Sequence, residues 1–180
     1  MTILVCPLSK VATLTAGRAP ERIVSLLDPE FAFPVTEPAY TGKHLRLRFH
    51  DAHVASPGQV LPGVQHVDDL LAFVGKWDRS APILIHCRAG IGRSTAAAFI
   101  TACLHNPHAD EREIALALRS ASPLARPNET LIKLADAALG RRDRMHRAIS
   151  ETGRNLSWND VELALSTEGE GRAFELPSAF

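Results

Sequence analysis

Cys87 and Arg93 stand six residues apart at the end of an apolar run, in His86-Cys87-Arg88-Ala89-Gly90-Ile91-Gly92-Arg93-Ser94. A thiolate is a strong nucleophile, and a guanidinium presents a planar fork that matches two oxygens of a tetrahedral anion. Gly90 and Gly92 let the backbone between them curl, including through positive φ. If this stretch turns into a helix, the N–H groups of Arg88, Ala89, Gly90, Ile91, Gly92 and Arg93 converge on one point, where an anion is stabilised. The same amides and the helix dipole favour the thiolate of Cys87. Ser94 is placed to donate to the sulfur when it leaves. The chemistry these residues suggest is attack by Cys87 on a bound phosphate ester, with Arg93 clamping the phosphate.

Such a loop needs a strand before it and a helix after it. Pro82–His86 is short and continuously apolar, and residues from Gly92 to about Asn106 are Ala-rich and helical in pattern. Further strands are expected at 3–6, at 22–27 and at 45–49, where Leu45, Leu47 and Phe49 alternate with polar residues. Helical spacing is expected at 9–16, closed by Gly17, then over Val67–Trp77 and over Glu111–Leu118. A last helix is capped by Asn128 and closed by Gly140. Residues 28–42 hold three prolines and read as an irregular connection with at most one edge strand. Strands interleaved with helices, then helices alone, predict an α/β fold: a central, mostly parallel, twisted sheet of four or five strands with helices on both faces. Ligands bind such sheets at strand C-termini, where Cys87 falls.

The 180 residues are 46% hydrophobic and 22% charged, with zero net charge. They suit one soluble domain and give no electrostatic case for a nucleic-acid or membrane partner. Six acidic and two basic residues leave 151–180 at −4 and the remainder at +4. The expected division is a catalytic domain over 1–150 and an acidic tail over 151–180, surface-packed or partly mobile. Cys6, Cys87 and Cys103 are too few and too irregular for a disulfide framework. They fit a reducing, cytoplasmic setting. The N-terminal ten residues lack the basic and long apolar regions of a signal peptide. The wealth of Ala and Arg hints at a bacterial source.

The run from His86 to Ser94 resembles the His-Cys-x-x-Gly-x-x-Arg-Ser signature of the cysteine-dependent protein tyrosine phosphatase superfamily. The resemblance extends over about residues 1–140 and is closest to compact, dual-specificity-like members, in which Asn128 after Pro127 also has a counterpart. It implies a tyrosine-phosphatase-like fold and a hydrolase working through a phosphocysteine, with no cofactor and no metal. It also implies that His86 orders the loop and that inorganic phosphate or sulfate occupies the site. The general acid in this family is an Asp on an upstream loop. Asp51 takes that place, after the 45–49 strand and before the Val67 helix, 36 residues ahead of Cys87. Asp28 is the next candidate, while Asp68 and Asp69 fall within a helix. Only 86 residues precede Cys87, too few for the phosphotyrosine-gripping loop of the larger tyrosine-specific domains.

The expected substrate is a phosphorylated protein or a small phosphomonoester. Phosphoinositides or inositol phosphates are the alternative, although Arg88 stands where relatives directed at them usually carry lysine. Other Cys-x5-Arg enzymes, such as a sulfurtransferase or an arsenate reductase, are further alternatives, as is a phosphate-binding module without turnover. His50-Asp51-Ala52-His53 offers too few ligands for a metal. Cys103 reads as core and Cys6 as a strand residue, either of which could pair with Cys87 on oxidation. Arg141, Arg142, Arg144 and Arg147 read as a solvated helix end, with a substrate-docking patch as the alternative.

Overall fold

Short aliphatic runs form the centre of one sheet, and a computed structural model describes them within residues 1–34, 40, 42–54, 56–153 and 170–180. The strands are β1 (Thr2–Pro7), β2 (Arg22–Leu27), β3 (Lys43–Arg48), β4 (Ile83–Cys87) and β5 (Phe174–Pro177). Their order is β3-β2-β4-β1-β5, with β3, β2, β4 and β1 parallel and β5 antiparallel to β1. β2 and β4 are buried along their whole length, as expected of strands covered on both faces. β3 lies at an edge, buries Leu47 and exposes Lys43, Arg46 and Arg48. Charge on an edge strand discourages pairing with another chain.

The helices are α1 (Val11–Arg18), α2 (Val64–Val74), α3 (Arg93–His105), α4 (Glu111–Ala121), α5 (Glu129–Ala138) and α6 (Arg144–Gly153). They cover the two faces unequally. Ile3, Val5, Val24, Leu26, Ile83 and Ile85 join α2 to α6 in the main core around Phe99 and Trp77. Leu4, Cys6, Ile23 and Leu84 join Val11 and Tyr40, with the partly buried Leu8 and Leu14, in a smaller cluster on the opposite face. α3 is buried for its first eleven residues, which explains its small side chains: Ala96, Ala97, Ala98 and Ala102 let a central helix sit close to the sheet. No helix among the described residues is long and apolar enough to cross a membrane.

Several elements differ from expectation. α1 passes through Gly17 and stops at Ala19, which is left-handed (φ 43°) and precedes Pro20. The possible edge strand in 28–42 is absent from the described residues there, and 35–39 and 41 lie outside them. The boundary expected after residue 150 falls inside α6, whose Met145 and Ile149 are buried. Residues 154–169 lie outside the described part, but 174–177 form β5 and bury Leu176 in the main core. The arginine cluster is not all solvated. Arg141 is buried, paired with Glu111 at 2.7 Å and donating to the Cys103 carbonyl at 2.6 Å, so it ties the turn between α5 and α6 to α4 and α3.

Candidate active site

β4 ends at Cys87 in mid-sheet, and the chain turns through 88–92 into α3. The turn is shaped from outside by hydrogen bonds to its carbonyls. Arg88 O accepts from Leu8 N at 3.1 Å and Ala89 O from Gly171 N at 2.7 Å. Ile91 O accepts from Arg126 N at 2.9 Å, and Gly92 O from Asn128 N at 3.3 Å and Ala96 N at 3.0 Å. The Thr95 hydroxyl donates to Ile91 O and Gly92 O. With these carbonyls held outward, the peptide N–H groups are left for the inner side, which is how a backbone ring becomes an anion nest. Gly90 needs its glycine twice over: its φ is +76°, and a Cβ there would stand 2.8 Å from the Pro7 nitrogen.

Cys87 is 1% exposed at the floor of a cavity of about 270 Å³ that is also lined by Asp28, His50, Asp51, Gln59, Arg88, Ala89 and Arg93. Its Sγ accepts from Gly90 N at 3.2 Å and lies 3.1 Å from Ser94 Oγ. The first turn of α3 begins directly beyond, so its dipole points at the sulfur.

Arg93 is buried, and its donors can be counted. Nη1 donates to Asp28 Oδ1 at 3.1 Å and to Phe49 O at 2.6 Å, and Nη2 donates to Asp28 Oδ2 at 3.1 Å. A guanidinium has five N–H groups, so one on Nη2 and the one on Nε remain. Nε is buried and has no hydrogen-bond partner among the described residues. The two remaining donors form one edge of the fork, the geometry that takes two oxygens of a phosphate. Asp28, the second candidate acid, thereby spends both carboxylate oxygens on Arg93.

Asp51 follows β3 on the opposite wall. Its Oδ1 accepts from Asn128 Nδ2 at 2.7 Å, and its Oδ2 lies 3.9 Å from Arg93 Nε. A Cβ on Gly92 would stand 1.9 Å from that Oδ2, so only glycine permits the carboxyl to lie over the helix terminus. The loop carrying Asp51 is stapled at its base: His50 N donates to Val60 O at 2.8 Å, and His50 Nδ1 accepts from Val60 N at 2.9 Å. Asp68 and Asp69 are exposed on α2.

The protein-tyrosine phosphatase family model matches residues 52–124, which include the whole run from His86 to Ser94. The match covers 73 of the 180 residues. The protein is a cysteine-dependent, tyrosine-phosphatase-like hydrolase. No curated protein sequence matches the chain. Among solved structures, the human tyrosine phosphatase-like serine/threonine/tyrosine-interacting protein is similar at 16% identity, over 77% of this chain and 91% of that one, with a TM-score of 0.56. PTPMT1 in complex with PI(5)P is similar at 15% identity, over 83% and 93%, with a TM-score of 0.57. Human DUSP28 is similar at 17% identity, over 78% and 99%, with a TM-score of 0.57. At such identities these likenesses speak for the fold.

In this phosphatase the buried His86 belongs to a chain across three strands. Its Nε2 lies 2.5 Å from Ser25 Oγ, which lies 2.7 Å from His44 Nε2, while His86 Nδ1 faces the Cys87 carbonyl at 3.4 Å. Burial pushes both imidazoles down to about 4, so both are neutral at pH 7. One proton order satisfies the chain: His86 Nδ1–H to the carbonyl, Ser25 O–H to His86 Nε2, and His44 Nε2–H to Ser25 Oγ.

Cys6 points to the opposite face of the sheet from Cys87, and burial pushes its thiol up to about 12. Burial raises Cys103 as well, on the apolar side of α3. Among the described residues no group of three or more His, Cys, Asp or Glu could hold a metal.

Four residues around the site have roles that the sequence pattern does not announce. Asp28 was weighed only as an acid, although an acid ending a buried strand beside an arginine loop could have been read as its counter-charge. Ser25 and His44 were passed over, although Ser25 is the one hydroxyl in an otherwise aliphatic strand centre. Asn128 was read as a helix cap, and its second use depends on a loop 77 residues away.

Proposed function

We propose that the protein hydrolyses phosphomonoesters on tyrosine, or on tyrosine and serine or threonine, of phosphorylated proteins, through a phosphocysteine on Cys87. The observation that carries the reading is the loop itself. Its carbonyls are tied outward, Arg93 lines one cavity with its Nε unbonded among the described residues, and a thiol that accepts from Gly90 N lies at the floor. Phosphate charge is stabilised by donors already in position, the largest single contribution to most such reactions.

In the first step Cys87 Sγ bonds to phosphorus as the bond to the leaving oxygen breaks. The proton on Asp51 passes to that oxygen. Amides of Arg88, Ala89, Gly90, Ile91, Gly92 and Arg93, with the Arg93 side chain, hold the three remaining phosphate oxygens. In the second step water attacks phosphorus, its proton returns to Asp51, and the S–P bond breaks toward a thiolate stabilised by Ser94 and Gly90 N–H. His86 orients the Cys87 carbonyl and exchanges no proton with substrate. The mechanism uses no cofactor and needs a reduced Cys87, which suits a cytoplasmic setting. Residues 1–150 supply every group named, and Gly171 from the C-terminal segment braces the loop.

The test is a turnover panel of phosphotyrosine, phosphoserine and phosphothreonine peptides and of phosphoinositides, with Cys87→Ser as the control. Phosphotyrosine peptides are expected to turn over fastest. Faster release from phosphoinositides than from any peptide overturns the substrate class while leaving the phosphocysteine chemistry standing.

A further inference from the structure

We infer that Asn128 is a positioning residue for the acid step: it selects which oxygen of Asp51 carries the proton. The inference rests on the reading of Asp51 as the general acid.

Asn128 is 1% exposed, and every polar group it has is used. Its Oδ1 accepts from Leu131 N at 3.1 Å and caps α5, and its carbonyl accepts from Ile132 N at 3.1 Å. Its own N–H donates to Gly92 O at 3.3 Å, and its Nδ2 donates to Asp51 Oδ1 at 2.7 Å. The cap settles the orientation of the amide. With Oδ1 committed to an N–H donor, only Nδ2 faces Asp51, and an amide nitrogen only donates.

The consequence concerns the proton. With the hydrogen on Oδ1, the Asn128 N–H would meet the poorer acceptor of the carboxyl group, the hydroxyl oxygen; with it on Oδ2, Asn128 donates to the better, carbonyl oxygen. The proton therefore sits on Oδ2. That oxygen lies over Gly92, on the Arg93 side and next to the cavity. When Oδ2 gives its proton to the leaving oxygen, Asn128 still donates to Oδ1 and the carboxylate keeps its place. Water then returns a proton to the same Oδ2. Because the backbone N–H of Asn128 also holds the Gly92 carbonyl, one residue sets the acid in register with the phosphate loop.

The variant to make is Asn128→Ser. A serine retains an N-cap oxygen but is too short to reach Asp51. The readout is kcat/KM for aryl phosphates that differ in the basicity of the leaving phenol, together with inhibition by inorganic phosphate. Hydrolysis of esters with basic leaving groups is expected to slow by about 10-fold or more, and that of activated esters by less than about 3-fold, because an acid matters only where the leaving oxygen needs a proton. Phosphate inhibition is expected to hold within about 2-fold, since the nest and Arg93 are untouched.

In an Asp51→Asn background, Asn128→Ser is expected to add no further leaving-group dependence, the non-additivity of groups acting as one unit. Asn128→Asp, which keeps the cap and sets an oxygen against Oδ1, is expected to reproduce the effect at neutral pH. Equal slowing of all esters, or an undiminished effect of Asn128→Ser in the Asp51→Asn background, overturns the inference and leaves Asn128 a cap. If Asp51→Asn itself shows no leaving-group dependence, the acid assignment has failed and takes this inference with it. A selective Asp51→Asn beside an unselective Asn128→Ser sinks the inference alone.

Discussion

The two walls of the active site are built differently. The phosphate loop continues a central strand into a central helix, with Cys87 at 1% and Arg93 at 3% exposure, and chain segments beginning at Leu8, Arg126, Asn128 and Gly171 all hold its carbonyls. The acid wall leaves an edge strand on a loop stapled by His50 and Val60, and the side chain of Asp51 is 36% exposed. Asp51 reaches the site through its bond to Asn128 and the space above Gly92. One wall is continuous with the sheet, and the other is joined to it through side-chain contacts. The division suits the proposed chemistry, in which the anion site is preorganised and the acid lies where substrate enters.

The comparison breaks most sharply at the nucleophile. Cys87→Ser is expected to bring aryl phosphate turnover to background while tungstate still binds, measured by steady-state assay and calorimetry. Substantial residual turnover would mean that the rigid wall carries something other than the nucleophile.

Asp51→Asn comes next. It should slow esters with basic leaving groups by about 10²–10⁴-fold and activated ones far less. It should also remove the basic limb of the pH–rate profile, because that limb reports loss of the acid's proton. Phosphate affinity should hold, as befits a group on the acid wall.

Asp28→Asn tests how far the rigid wall depends on a fixed Arg93. Removing the charge leaves a buried guanidinium with a weaker partner. A loss of about 10-fold or more in kcat/KM is expected, with weaker tungstate binding and no selectivity for leaving group. If the loss instead tracks leaving-group basicity, Asp28 contributes to proton transfer and the two walls are less separate than drawn.

The smallest effect concerns the chain beneath the loop. His44 and His86 are held neutral by burial, down to about 4 from an ordinary 6.5. Above 6.5 neither state binds a proton there, and the stability is fully present. As pH falls from 6.5 toward 4 the unfolded chain takes protons that the folded one refuses, so stability falls. The expected loss is on the order of 1–3 kcal/mol by pH 4.5, with His44, the more exposed, contributing the smaller share. Urea midpoints at pH 7.5, 6 and 4.5 would show it, and His44→Gln should flatten the slope. A flat wild-type profile would mean that the rigid wall tolerates charge beneath it.

Some of this architecture is written locally and some is not. β2 and β4 were legible because unbroken aliphatic runs bounded by polar or turn residues admit few other readings. α5 was legible from Asn128, whose side chain caps the helix it begins. α6 and β5 were not. α6 is polar along most of its sequence and is held by Met145, Ala148 and Ile149 against helices already in place. β5 has four residues and pairs with β1, more than 160 positions away. Arg141 looked solvated because nothing nearby in sequence announces Glu111.

What the sequence determined by itself is the strand–loop–helix run of the proposed phosphate loop. Its nucleophile, glycines, arginine and flanking strand and helix are contiguous, so local backbone geometry and residue type suffice to define an anion site. The tertiary structure alone decided what surrounds that site. Asp28 became the counter-charge of Arg93, Asn128 the partner of Asp51, and Ser25 with His44 the continuation of His86. Each joins groups 19 to 77 residues apart, brought together when β2, β3 and β4 align and α5 docks beside α3. A hydrogen bond between such groups depends on where the fold leaves them, and no local pattern records that.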